Sequence, residues 1–237
     1  MKSIDKVIVI VPAAGVGKRM QANCPKQYLT INGESVLTHT LTRLLSHPLI
    51  AKVVLALGAD DQYFSDTSIA THPDIIRVIG GNERVDSVLN GLKEVNNKEF
   101  PWVLVHDAAR PCVTHHDISQ LISQCLENDC GGILATPVRD TMKRGLVQSD
   151  NHRIISNTVE REELWHALTP QMYKSEELTH AIEQGLSEAR KITDEASAIE
   201  LQGLPSLLVP ASSDNIKITH PDDLALAEFY LTKQANN

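Results

Sequence analysis

The run Val7-Ile8-Val9-Ile10-Val11 limits what this chain can fold into more than any other stretch. All five side chains are apolar and β-branched, so the backbone favours an extended conformation and neither face tolerates water. A strand of that kind belongs inside a parallel sheet covered on both sides. The residues that follow fit that setting. Apolar positions recur at helical spacing over Val36–Leu45, where Leu37, Leu41, Leu44 and Leu45 align, and over Arg84–Val95, where Val85, Val88, Leu89 and Leu92 align. A further helix is expected at Asp117–Leu126, and strands at Lys52–Leu57, Ile75–Ile79, Trp102–Val105 and Ile133–Thr136. This alternation predicts an α/β layer fold, with a mostly parallel twisted sheet and helices on both faces. With 237 residues, 42% of them hydrophobic, the chain suits one sizeable domain; at 4% aromatic, its core must be packed with aliphatic side chains.

The rhythm breaks over residues 138–161. Two short β-like runs flank the polar turn Gln148-Ser-Asp-Asn-His-Arg153, which predicts a hairpin inserted in the domain. A polar two-stranded hairpin is not stable alone, so this arm is expected to project and to rest on a second subunit. Near the C-terminus, Thr219 is placed to cap a last helix, with Pro221, Asp222 and Asp223 in its first turn and Leu224, Ala227 and Leu231 on one face.

The formal net charge is −8, which argues against a general nucleic-acid or membrane surface. Positive charge for an anionic ligand must therefore be gathered locally. The four cysteines, Cys24, Cys112, Cys125 and Cys130, form no C-x-x-C pair and no zinc spacing, and read as reduced thiols of a cytoplasmic protein. No stretch is long enough to span a membrane, and Val7–Val11 is too short for a signal-peptide core.

The first strand runs into Pro12-Ala-Ala-Gly-Val-Gly-Lys-Arg-Met20, followed by Pro25-Lys-Gln-Tyr-Leu29. In open α/β sheets, ligands sit beyond the carboxyl ends of the strands, where strand order reverses. Small residues there let backbone N–H groups reach phosphate oxygens, and Lys18, Arg19 and Lys26 add charge. The loop is not a Walker loop, because Arg19 follows Gly17-Lys18 where Ser or Thr is required. Nor is it a dinucleotide fingerprint, because Met20 stands in place of the third glycine, which weakens a dehydrogenase reading.

These two segments resemble the signature of 2-C-methyl-D-erythritol 4-phosphate cytidylyltransferases. The resemblance continues, in order, through Gly80-Gly-Asn-Glu-Arg84 with Ser87, His106-Asp-Ala-Ala-Arg-Pro111, Pro137-Val-Arg-Asp-Thr-Met-Lys143, Leu168-Thr-Pro-Gln171, Ile192-Thr-Asp-Glu-Ala196 and Asp214-Asn-Ile-Lys-Ile-Thr219. It implies a Rossmann-like nucleotidyltransferase fold and transfer of a cytidylyl group from CTP to 2-C-methyl-D-erythritol 4-phosphate in non-mevalonate isoprenoid biosynthesis. A phosphate oxygen of the sugar alcohol attacks the α-phosphorus and pyrophosphate leaves. A phosphate monoester has its second pKa at about 6, so the nucleophile needs no strong base. The protein must align two anions and neutralise charge. The absence of G-x-S-x-G and H-E-x-x-H agrees with this.

By the same resemblance, Arg19 and Lys26 stabilise the transition state, and Arg161 and Lys217 position the attacking phosphate. Ala13, Ala14, Gly15, Lys18 and Ala108 contact the nucleotide, and Gly81, Asn82 and Ser87 read its base. Asp107, Arg110, Thr141 and Thr193 contact the second substrate. Asp107 is also a candidate ligand for Mg2+ bound with CTP. His106 reads as a packed histidine, and Asp194 and Glu195 as residues favouring a helix start at Glu195–Leu201. Thr141 and Arg161 lie at the two ends of the arm, so a homodimer is expected, each arm reaching the other subunit's site. Two rivals share some of these features: a ribitol-5-phosphate cytidylyltransferase of the same fold, and a nucleotide-sensing module that does not catalyse.

Overall fold

The computed structural model describes residues 6–15, 24–149 and 151–236. The opening run forms strand β1 (Val7–Pro12), and its burial follows the sequence reading. Val7, Val9 and Val11 enter one apolar core, while Ile8 and Ile10 enter the other. After a small ribbon, β2 (Thr30–Ile31) and β3 (Glu34–Ser35), come α1 (Val36–Leu45), β4 (Ile50–Leu57), β5 (Ile75–Ile79), α2 (Arg84–Leu92), β6 (Trp102–Val105), α3 (His115–Asn128) and β7 (Gly132–Pro137). Ser35 caps α1 by accepting from the Thr38 N–H, and Thr114 caps α3 by accepting from the Asp117 N–H. Leucines and isoleucines of α1 and α3 fill the first core; α2 fills the second. Helices thus cover both faces of the sheet, as the alternation predicts.

The rest of the chain is β8 (Met142–Val147), β9 (Arg153–Val159), β10 (Trp165–Lys174), α4 (Ser175–Ser187), α5 (Glu195–Leu201), β11 (Leu207–Pro210) and α6 (Asp222–Ala235). Strands β8 and β9 pair antiparallel as the expected hairpin, apart from the main sheet. The main sheet has the order β11-β7-β10-β6-β1-β4-β5. It is parallel except for β10, which runs antiparallel between β6 and β7. The sequence reading passed over β10, α4 and β11. Strand β10 carries Pro170 in its middle, which argues against a central strand. The structure accommodates it with a register shift between Ala167 and Gln171. The last helix also differs from its expectation at one point. Thr219 does not cap through its hydroxyl; instead the Asp223 carboxylate accepts from the Thr219 N–H and hydroxyl and from the His220 N–H. Ala227 of that helix is buried against Ile31, Cys112 and Ile218.

Helix α2 lies close enough to β1 that a Cβ added at Gly91 would stand 2.7 Å from Ile10 Cγ2. Ile10 is fully buried in the sheet. Gly91→Ala gains up to about 1 kcal/mol of helix propensity. It also overpacks the core, at a cost of about 1–3 kcal/mol. The expected outcome is net destabilisation, read as a lower urea midpoint.

Candidate active site

Strand β1 lies between β4 and β6. From β1 the chain passes to β4 and β5 on one side, then returns to β6 on the other. The strand order therefore reverses between β1 and β6, and a cleft opens at their carboxyl ends. The segments Pro12–Gly15 and Asp107–Ala109 line it, with Gly81–Arg84 from the start of α2 and with Lys26, Gln27 and Lys217.

The backbone around the cleft is held from behind. The Ala13 N–H donates to the Ala56 carbonyl at 2.8 Å, and Gln27 Nε2 donates to the Ala13 carbonyl at 2.8 Å. Gln27 is buried, so this bond fixes where the loop after β1 starts. A Cβ at Gly81 would stand 2.1 Å from Asp86 Cβ, so only glycine lets this turn close onto α2. Ser87 is buried too. Its hydroxyl accepts from the Gly81 N–H at 3.0 Å and donates to the Glu83 carbonyl at 3.2 Å. The side chain expected to read a base thus also shapes the turn whose backbone faces the cleft. Asn82 is exposed on the rim, and the Ala108 carbonyl accepts from the buried Thr40 hydroxyl.

Asp107 is the electrostatic centre. Its Oδ1 accepts from Arg84 Nε at 3.1 Å; its Oδ2 meets Arg110 Nε at 3.3 Å and Lys217 Nζ at 2.8 Å. The far side of the Arg84 guanidinium grips Glu195 with two bonds, of 2.6 and 3.0 Å. Three cations thus face two carboxylates, an excess of one positive charge on an acidic protein. Burial alone raises the Asp107 carboxyl, but Arg84, Lys217 and Arg110 outweigh it and hold the group well below the usual carboxylate range. Burial alone lowers Arg84, and the Glu195 and Asp107 carboxylates more than reverse that. For Arg110 burial prevails, and its guanidinium is lowered although Asp107 is beside it. Lys26 Nζ donates to the Ile218 carbonyl at 3.0 Å, next to Lys217 in sequence.

This donor set does not fit a divalent cation held by the protein. The Asp107 oxygens already carry three cationic partners, and the described residues contain no cluster of three or more His, Cys, Asp or Glu side chains suited to a metal. As a metal ligand Asp107 is expected to act only together with the CTP phosphates; in this chain its carboxylate gathers Arg84, Arg110 and Lys217.

The cleft brings together Ala13, Ala14, Gly15, Lys26, Gly81, Asn82, Ser87, Asp107, Ala108 and Lys217, with Arg110 just behind Asp107. Lys18 and Arg19 lie outside the described residues. Arg161 and Thr141 are not part of the cleft in this chain. Arg161 sits at the base of the arm, its guanidinium donating to the Arg139 carbonyl, and Thr141 is exposed. Thr193 is exposed, with its N–H bonded to Ser197 Oγ, two residues before Glu195. Sequence reasoning missed Arg84, Glu195 and Gln27 as site residues, although all three stand inside motifs it singled out. Glu195 does begin α5, but its carboxylate is buried against Arg84.

Comparison with known proteins gives one result. The family model described as IspD: 2-C-methyl-D-erythritol 4-phosphate cytidylyltransferase matches residues 7–233. A protein of that name from Colwellia psychrerythraea is 70% identical over 241 residues, covering 100% of this chain and 99% of its own length. One from Vibrio vulnificus (strain YJ016) is 56% identical over 235 residues, covering 98% of each. The crystal structure of the Francisella tularensis 2-C-methyl-D-erythritol 4-phosphate cytidylyltransferase is similar, with a TM-score of 0.81 at 35% identity over 95% of this chain and 100% of that one.

The Asp107 shift has a consequence for acid stability. A carboxyl depressed in the folded state stabilises the protein above its unfolded pKa, about 3.9. That stability is lost as pH falls toward the folded value. Urea midpoints measured from neutral pH downward should therefore drop on acidification, and Asp107→Asn should lower the neutral midpoint and flatten the drop. An unchanged midpoint in Asp107→Asn would show that the cluster contributes nothing to folding.

Proposed function

We propose that this chain, which belongs to the 2-C-methyl-D-erythritol 4-phosphate cytidylyltransferase family, transfers the cytidylyl group of CTP to 2-C-methyl-D-erythritol 4-phosphate, yielding 4-diphosphocytidyl-2-C-methyl-D-erythritol and pyrophosphate for isoprenoid precursor synthesis. The observation that carries this reading is the cation cluster around Asp107, set at the strand-order reversal and facing the loop after β1. Such a site attracts and aligns phosphates and needs no general base.

A phosphate oxygen of the sugar alcohol forms the new bond to the α-phosphorus as the bond to the bridging oxygen of the β-phosphate breaks. The backbone of Ala13–Gly15 and Ala108, with Lys18, takes the nucleotide; Gly81 and Asn82 face its base, on a turn that Ser87 holds. Lys26 and Arg19 offset the charge that builds at the α-phosphate. Lys217, with Asp107, Arg110 and Thr193, holds the second substrate. Mg2+, if bound together with CTP, would supply further charge neutralisation at the phosphates. We place the protein in the cytoplasm. Its four cysteines, all free thiols, suit a reducing compartment.

The arm calls for a second copy of the chain. Leu146 and Ile154 face each other across β8 and β9, and with Val147 and Ile155 they are exposed, more apolar surface than the polar turn suggested. A second subunit would cover these side chains. The same contact would carry the first chain's Arg161 and Thr141 to the second chain's cleft.

Incubation with CTP, Mg2+ and each sugar-alcohol phosphate tests the substrate, with pyrophosphate release expected for methylerythritol phosphate. Faster release with ribitol 5-phosphate would overturn that assignment, and CTP binding without turnover would leave a sensing module. Arg19→Ala, Lys26→Ala and Lys217→Ala should each lower turnover by about 10²–10³-fold. An equimolar mixture of the Arg161→Ala and Lys26→Ala proteins tests the arm. If the arm acts across the dimer, random reassortment restores roughly a quarter of wild-type activity. If it acts within one chain, the mixture stays inactive.

A further inference from the structure

His106 directly follows β6 and is fully buried. Its Nε2 lies 3.0 Å from the Arg110 carbonyl oxygen, which can only accept, so the proton is on Nε2. Its Nδ1 lies 3.1 Å from Thr169 Oγ. Burial, reinforced by the neighbouring Arg110 and Arg84 cations, lowers the ring to about 4, although the Arg110 carbonyl and Asp107 pull the other way. The ring is therefore neutral, and Nδ1 accepts from the Thr169 hydroxyl. Thr169 Oγ has one more bond: it accepts from the Asp107 N–H at 3.0 Å.

These bonds close a loop around the turn from Asp107 to Arg110. The turn's own bond runs from the Arg110 N–H to the Asp107 carbonyl at 3.1 Å. Thr169 holds its first residue and His106 its last. The Arg110 guanidinium donates to the Asn215 carbonyl, and Asn215 Nδ2 donates to the Thr169 carbonyl, both at 2.8 Å. The sheet register explains why Thr169 is there. Strand β10 pairs with β6 as far as Gln171 opposite Val105, and just beyond that pair the Asp107 N–H reaches the Thr169 hydroxyl. An imidazole donates on one side and accepts on the other along a single rigid plane. A leucine of similar size would leave the Arg110 carbonyl without the His106 donor and the Thr169 hydroxyl proton without its acceptor in the interior.

We propose that His106, as the neutral Nε2–H tautomer, is a positioning residue that locks the Asp107–Arg110 turn so that the Asp107 carboxylate stays aimed at Arg84, Arg110 and Lys217. This rests on the assignment of those residues to the second substrate. The locked turn carries Asp107 and also Ala108, so its loss should be felt most by the second substrate, through the displaced Asp107 cluster, and less by the nucleotide.

Two measurements test it. In ¹⁵N-histidine-labelled protein without substrate, the His106 ring should show a proton on Nε2 and none on Nδ1 at neutral pH. A charged ring or an Nδ1–H tautomer overturns the proposal whatever the enzyme's activity. In kinetics, His106→Leu and His106→Gln should lower kcat/KM for methylerythritol phosphate on the order of 10²-fold, as expected for a misplaced charged group, with a clearly smaller loss of CTP affinity. A folded His106→Leu protein with wild-type kcat/KM overturns the proposal. If both variants fail to fold, Thr169 decides. Thr169→Val should reproduce the loss and Thr169→Ser should restore activity; equal activity in the two overturns the lock. A wild-type protein that ignores methylerythritol phosphate while showing the expected tautomer would sink the substrate assignment and leave the lock standing.

Discussion

The buried carboxylate of Asp107 sets terms that the rest of the site must meet. Removing an ionised carboxylate from water costs several kcal/mol, and the cost is recovered only with well-placed opposite charge and full hydrogen bonding. Asp107 meets both demands. Arg84, Arg110 and Lys217 reach it from three different parts of the chain: the start of α2, the turn after β6 and the segment after β11. Each part must therefore pack correctly for the carboxylate to be tolerated. Glu195 extends the demand to α5, which is docked by Gln171: its Oε1 accepts from the Ala196 N–H and its Nε2 donates to Asp194. One buried charge thus ties the core of the sheet to four separate segments of the site.

The same arrangement answers a problem posed by composition. A chain of net charge −8 has to present positive potential to a triphosphate and a phosphate. It does so without a broad basic surface. The cluster places three cations around two carboxylates at the end of the parallel strands, and Lys26 is bound to the next stretch of backbone. In the low-dielectric cleft a small local excess counts for more than distant surface acids.

Much of this was legible in the sequence, and the failures have physical causes. The β-branched run at Val7–Val11 identified a central strand because burial on both faces leaves no polar position. The loop after β1 was legible because phosphate binding needs small residues and cations there, whereas the cleft residues after β5 and β6 came from the family resemblance. Strand β10 was not, since Pro170 interrupts its pattern and only the register shift with β7 makes room for it. Helix α4 carried a signal that went unread: Leu178, Ala181, Ile182 and Gly185 are its buried face at helical spacing. Arg84 and Glu195 were hidden for another reason. They lie 111 positions apart, and a local reading gives each a plausible duty at a helix start. Their pairing depends on how α2 and α5 pack, which no local pattern encodes. His106 was read as a packed histidine, which is true of its ring but silent about its two bonds.

A site that works by fixed charge must keep its charge states fixed. Near neutral pH Asp107, Arg84 and His106 all stand far from their titration points. Asp107 is held ionised far below that range, Arg84 is raised above its already high value, and His106 is held neutral near 4. A general base is tuned toward the working pH; these groups are tuned away from it. The field at the cleft therefore changes little with modest changes of pH, and the proton that matters, on the attacking phosphate, is lost in solution. Histidine in such a centre is best explained by its geometry as a neutral donor and acceptor, and the structure uses it in that form.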